Sequence, residues 1–162
     1  MARTVEVSCV VNGQPVTALV PVRRHLVDFL RIDLGLTGSH IGCEHGVCGA
    51  CTVRVNGGSV RGCLMLAVQV EGCAVETIEG LSESGEITDL QEAFVDRNAL
   101  QCGYCTPGML VTIAELLNRA KPMSREDIRD FLSGNYCRCT GYQSIIDAVE
   151  TTLATRLSEE AL

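Results

Sequence analysis

The chain has 162 residues, 46% of them hydrophobic, enough for one ordinary domain or two small ones with a filled core. Its formal net charge of -7, with 13 scattered Lys and Arg residues, no Trp and an aromatic share of 4%, excludes a nucleic-acid binder, which needs clustered cations and stacking platforms. Ten cysteines, with no secretory leader in "MARTVEVSCVV", argue for reduced or metal-bound thiols in the cytoplasm rather than a disulfide scaffold, and no stretch is apolar for long enough to predict a membrane span.

Residues 4–20, "TVEVSCVVNGQPVTALV", read as two strands joined by Asn12-Gly13, a strong signal for a tight hairpin. The next stretch, "VRRHLVDFLRIDLG", places Leu26, Phe29, Leu30 and Leu34 at helical spacing and ends at Gly35, a candidate C-cap. After the glycine-rich run "IGCEHGVCGAC", residues 51–63 predict a second hairpin turning at Asn56-Gly57-Gly58, and "AVETIEG" one more strand. "LSESGEI" is polar and reads as a linker, which puts a domain boundary between residues 1–80 and 81–162.

Beyond it the pattern becomes helical. Four helices are predicted: about 89–98, with Leu90, Ala93 and Phe94 on one face; one with Thr106 as N-cap and Pro107 in its first turn, carrying Leu110, Ile113, Leu116 and Leu117; one from the capping box Ser124 to Asp127 to near Gly134; and one from about Gln143 through Leu153.

Eight of the cysteines fall into two sets of four. Cys43, Cys48 and Cys51 have the C-x4-C-x2-C spacing of plant-type ferredoxins, with Cys63 as a fourth ligand from the following hairpin. A loop holding a two-iron cluster must turn backbone N–H groups towards sulfur, and Gly42, Gly46 and Gly49 allow that close approach. The second set, Cys102, Cys105, Cys137 and Cys139, comes from "QCGYCTPG" and "NYCRCTGY". Each pair precedes a predicted helix, whose positive dipole end would stabilise an anionic four-thiolate cluster. A two-iron cluster is the better reading, and a structural zinc site stays open as the alternative at this second set above all. His45, inside the first loop, is expected on its solvent side, His40 in a surface or capping role, and Tyr104 and Tyr142 packed beside a cluster. Cys9 and Cys73 are read as small core hydrophobes.

Together the two motifs resemble one family, the small iron–sulfur subunit of the molybdenum hydroxylases (the xanthine dehydrogenase and aerobic carbon monoxide dehydrogenase group), and the likeness covers nearly the whole chain. It implies an α+β fold, a β-grasp ferredoxin-like domain followed by an all-α four-helix bundle. It also implies two [2Fe-2S] clusters, held by Cys43, Cys48, Cys51 and Cys63 and by Cys102, Cys105, Cys137 and Cys139. In such enzymes electrons pass from a molybdenum–pterin centre to the cluster of the helical domain, then to the ferredoxin-like cluster, then to FAD. Gln101 matches the family's pterin-contacting glutamine, with Cys139 close by. The implied partners are a large subunit with molybdopterin cytosine dinucleotide and a medium FAD subunit, in a heterotrimer or its dimer. No G-x-G-x-x-G fingerprint, P-loop or catalytic triad is visible, so the chain is expected to conduct electrons without choosing the substrate. A free two-cluster ferredoxin and a zinc-stabilised interaction module are the other readings.

Overall fold

The structure, a computed structural model, describes residues 3–160. Strands β1 (Thr4–Val11) and β2 (Gln14–Pro21) form the first hairpin, its turn made by Asn12 and Gly13 in the left-handed region with φ of 49° and 77°. Strands β3 (Thr52–Val55) and β4 (Gly58–Arg61) form the second, turning on Asn56 and Gly57. Strand β5 (Ala74–Glu76) runs between the hairpins, parallel to β1 and antiparallel to β3, which gives the sheet order β2-β1-β5-β3-β4.

Helix α1 crosses this sheet. It starts as Leu26–Asp28 and widens into a π-turn over Phe29–Asp33, with Leu34 N–H donating to the Phe29 carbonyl at 3.1 Å. Leu26, Phe29 and Leu30 are buried against Val7, Val11 and Val75 of the sheet, a core to which each large apolar side chain contributes about 1.5–3 kcal/mol.

The four expected helices form as α3 (Thr88–Asp96), α4 (Thr106–Leu117), α5 (Arg125–Phe131) and α6 (Gln143–Glu160). The Ser124–Asp127 capping box starts α5 as predicted. One helix was not anticipated. Residues Ile78–Glu83 form α2, where the sequence reads as the end of a strand and a linker. Ile78 and Leu81, three apart on one face, sink into the helical core beside α4, which decides the matter against the polar composition of the stretch. Gly80 inside this helix is explained by its neighbour: a Cβ there would lie 2.9 Å from the Cβ of Asn12, so α2 can rest on the first hairpin turn only as glycine.

Helix α4 is the pivot. Met109, Val111, Ile113 and Leu116 are all buried, and the helix packs on β3 and β4 on one side and on α2 on another. One further tie between the halves is ionic. Arg54 on β3, its side chain 7% exposed, pairs with Glu86 at 2.8 Å and with Glu76 at 3.2 Å, and Asn118 after α4 adds a hydrogen bond to Glu86.

The Arg54 hydrogen bond holds the Glu86 carboxyl below its ordinary range, and Arg156 does the same for Asp89. A depressed folded-state pKa means that the unfolded chain binds the proton at higher pH. The stabilisation is therefore whole above the ordinary glutamate value of about 4.3 and is lost as pH falls through the lower folded value. The thermal unfolding midpoint, followed by circular dichroism from neutral to acid pH, should fall less steeply in Glu86→Gln than in the unmodified chain; equal acid slopes would remove Glu86 from this role.

Candidate metal centres

The first cysteine loop lies between α1 and β3. Glu44, Gly46 and Gly49 all take left-handed φ there, and the loop curls so that the Cys48 N–H reaches the Cys43 sulfur at 3.4 Å. The Cys63 N–H reaches the Cys51 sulfur at the same distance from the turn after β4. Cys51 and Cys63 are buried beside Val27 and Ile41, whereas Cys43 and Cys48 are half-buried. A Cβ on Gly42 would come within 3.0 Å of the Cys48 sulfur, so the wall of the cradle is bare backbone.

The thiols respond to these surroundings. Backbone N–H groups, that of Cys48 foremost, bring Cys43 down to about 6, whereas burial pushes Cys51 up to about 12 and the charges of Cys63 and Cys48 add to it. His45 is exposed and bonds the Cys43 carbonyl through Nδ1, as its solvent-side reading expects.

The second set gathers at the start of α4. Cys105 itself occupies the N-cap position, where the sequence reading puts Thr106; Thr106 and Pro107 fill the first two helical positions. Its half-buried thiol is pushed up to about 12 by burial and lies next to Cys137. At Cys137 burial also acts upwards, yet hydrogen bonds from Thr140, whose hydroxyl lies 3.2 Å from the sulfur, outweigh it and lower the thiol. The outer pair, Cys102 and Cys139, is exposed, with sulfurs 3.6 Å apart, and the Gln101 amide donates to the Cys139 carbonyl at 3.2 Å. Tyr142 packs on the helical core and its hydroxyl accepts the Cys137 N–H. Among the described residues, no three Cys, His, Asp or Glu side chains converge as tightly as a single metal ion requires.

The two sets are joined by a junction that sequence reasoning missed. Tyr136 N–H donates to the Cys48 carbonyl at 2.8 Å, so a residue adjacent to Cys137 is bonded directly to a residue of the first set. His40 stacks on Tyr104, ring centroids 4.6 Å apart, and bonds its carbonyl, while the Tyr104 hydroxyl donates to the Ile41 carbonyl at 2.6 Å. His40, expected in a surface or capping role, is half-buried and in addition bridges the two segments. Only the presence of Asn135 and Tyr136 inside the "NYCRCTGY" run hints at this in the sequence.

Residues 9–72 match the family of the 2Fe-2S iron-sulfur cluster binding domain, and residues 77–150 match the [2Fe-2S] binding domain family. The chain is 49% identical over 152 residues to caffeine dehydrogenase subunit gamma of Pseudomonas sp. (strain CBB1), covering 92% of this chain and 91% of that one. It is 50% identical over 145 residues to the nicotine 6-hydroxylase small subunit of Paenarthrobacter nicotinovorans, covering 90% and 87%. Among solved structures, the crystal structure of quinoline 2-oxidoreductase from Pseudomonas putida 86 superposes with a TM-score of 0.89 at 46% identity, over 99% of this chain and 100% of that one.

The chain belongs to the small iron–sulfur subunits of the molybdenum hydroxylases. As such a subunit it is part of an oxidoreductase, works with partner subunits, carries two [2Fe-2S] clusters and transfers electrons. Its residues suit that cofactor: four motif thiols in each half, with Cys9 and Cys73 besides, N–H groups directed at sulfur, and a cradle wall that a side chain would fill. Among the described residues, no helix is long and apolar enough to cross a membrane.

Gly49 is the most constrained point of the small subunit's first loop. Its φ is +76°, and a Cβ would lie 2.6 Å from the Asn135 amide nitrogen and 2.7 Å from the Gly134 carbonyl, whereas at Gly13, with φ +77°, nothing lies within 4 Å. Gly13→Ala should cost about 1–2 kcal/mol of backbone strain, with iron content unchanged. Gly49→Ala should cost more, lowering the melting midpoint by at least about 4 °C and reducing the iron bound. Equal losses in the two variants would remove the close approach as a cause.

Proposed function

We propose that this small subunit conducts electrons from a molybdenum–pterin centre on a large partner subunit to FAD on a medium partner subunit, during oxidative hydroxylation of a small molecule. Cys102, Cys105, Cys137 and Cys139 hold the cluster on the molybdenum side, and Cys43, Cys48, Cys51 and Cys63 the one on the flavin side. The observation that carries the reading is the junction between the two sets, where the Tyr136 N–H bonds the Cys48 carbonyl. When bound, each cluster takes up and gives back one electron. The chain's own residues do the rest: N–H and hydroxyl donors stabilise the anionic sulfurs, and burial at Cys51, Cys63 and Cys105 keeps water from one side of each site.

Gln101 and Cys139, both exposed, are the surface offered to the pterin, a molybdopterin cytosine dinucleotide in this proposal. The Gln101 amide, already bonded to the Cys139 carbonyl, is placed to orient that surface. The division of labour between an N-terminal and a C-terminal half, with its boundary near residue 80, belongs to the same proposal, as does a heterotrimer or its dimer. The relatives named above are a caffeine dehydrogenase, a nicotine hydroxylase and a quinoline oxidoreductase, which supports a nitrogen heterocycle as the substrate class of the assembled enzyme. Among the described residues none of the ten cysteines forms a disulfide, which suits a reducing compartment, and we place the subunit in the cytoplasm.

Low-temperature EPR with iron counting tests the ligand sets. The reduced chain should show two signals and about four irons. Cys63→Ser should remove one signal with about two irons, and Cys105→Ser the other; loss of the same signal in both variants would refute the separation into these sets.

A second test addresses Gln101. In the assembled enzyme, Gln101→Ala should keep both EPR signals while reduction of the clusters by substrate slows by about tenfold, the consequence of one lost hydrogen bond at the interface. An unchanged rate would place the pterin contact elsewhere.

A further inference from the structure

Between the two cysteine sets lies one polar side chain that is almost wholly buried. Asn135 is 2% exposed. Its amide nitrogen donates to the Gly49 carbonyl at 3.3 Å, in the loop between Cys48 and Cys51, and to the Gly108 carbonyl at 3.1 Å, in the first turn of α4 after Cys105. Its amide oxygen faces the Thr112 hydroxyl at 3.1 Å and accepts from Arg61 Nη2 at 3.3 Å. Both amide hydrogens are thus engaged and the oxygen accepts from Arg61, while the single Thr112 hydroxyl hydrogen is shared between that oxygen and the Gly108 carbonyl 2.9 Å away.

The backbone leaves no slack around it. A Cβ on Gly108 would collide with the Gly49 carbonyl and lie 3.1 Å from the Ala50 backbone, so α4 touches the first loop through bare main chain. Arg61 also bonds the Gly134 carbonyl at 2.8 Å, which braces the segment leading into Tyr136. The next residue after Asn135 makes the hydrogen bond to Cys48.

From this we infer that Asn135 is a positioning residue for electron transfer between the two clusters: it fixes the separation of the two ligand loops and holds the Tyr136-to-Cys48 hydrogen bond closed. The inference rests on the ligand sets of the proposed function. Its physical basis is that electron tunnelling weakens exponentially with distance and passes more readily through bonds and hydrogen bonds than across a gap. Asn135 touches two carbonyls rather than a thiol, so its effect falls on the relation between the sites and not on either site alone. A simple scaffold role would instead show as loss of a cluster or of the fold.

Asn135→Asp isolates that effect. The carboxylate keeps the size of the amide and can still accept from Arg61, but it has no hydrogen to give to the Gly49 and Gly108 carbonyls and repels them. The readout is the magnetic interaction between the two reduced clusters, seen as a splitting of their EPR signals at the lowest temperatures, which falls with the third power of their separation. The experiment uses the full chain with both clusters in place, with iron counted on the same samples. The expected result is a splitting in the unmodified chain that is measurably weakened in Asn135→Asp, while both signals keep their positions and the iron stays at about four per chain. Thr112→Val, which removes the hydroxyl at the Gly108 carbonyl but spares both donations from Asn135, should retain the splitting.

An unchanged splitting in an iron-replete Asn135→Asp chain overturns the inference and leaves the ligand sets standing. If Asn135→Asp loses iron or fails to fold, Arg61→Met decides. That variant removes the brace behind Asn135 and Gly134 together with the Arg61 hydrogen bond to the Thr52 hydroxyl, while Asn135 keeps its amide hydrogens; a weakened splitting with both clusters present upholds the inference, whereas an unchanged one overturns it. A single signal with about two irons in the unmodified chain defeats the ligand sets themselves, and the inference with them.

Discussion

The contact on which the rest of the molecule depends is the approach of two bare stretches of main chain, Gly49–Ala50 in the first cysteine loop and Gly108 at the start of α4. Carbonyls brought this close inside a protein must find donors, since an unpaired buried carbonyl costs about 1–3 kcal/mol. Asn135 supplies donors to both, and the Thr52 hydroxyl supplies another to Gly49 at 2.6 Å. The helical half is therefore seated on the cysteine loop of the sheet half by geometry and by polar satisfaction at once. A free hinge between the halves would take the Asn135 donor from the Gly49 carbonyl and leave it only the local donors of Thr52.

The same seating orders the ion pairs further out. With α4 fixed on β3 and β4, Arg54 can be buried on the sheet and still meet Glu86 from the segment after α2, and the Glu115 carboxylate can accept the Ser59 N–H at the start of β4. Each of these links is modest where its carboxylate stays partly wet. Collectively they hold one orientation of the halves, which is what a subunit with two cofactors at fixed separation requires.

Within each site the thiols are graded from sealed to open. Cys51 and Cys63 are buried behind Val27, and Cys105 and Cys137 pack against the helical core, whereas Cys43 and Cys48 are half-buried and Cys102 and Cys139 exposed. N–H groups offset the charge of Cys43, and Thr140 that of Cys137, so the anionic sulfur of a cluster is met by fixed dipoles on the protein side. The exposed side of the second site lies beside Gln101, whose amide bonds the Cys139 carbonyl.

Much of this was legible in the sequence because it is local. The Asn12-Gly13 and Asn56-Gly57 turns, the capping box at Ser124 and the C-x4-C-x2-C spacing each act over a few residues, where backbone preference and ligand spacing leave little choice. The fold class and the two [2Fe-2S] motifs followed from them. What the tertiary structure alone decided concerns partners distant in sequence. Ile78–Glu83 is a helix because Ile78 and Leu81 find the α4 core and Gly80 finds Asn12, and no pattern within the stretch outweighs its Glu, Ser and Gly content. His40 meets Tyr104, and Asn135 meets Gly49, across 64 and 86 residues, and a polar side chain gives no sign in sequence of being buried until its distant carbonyls are in place.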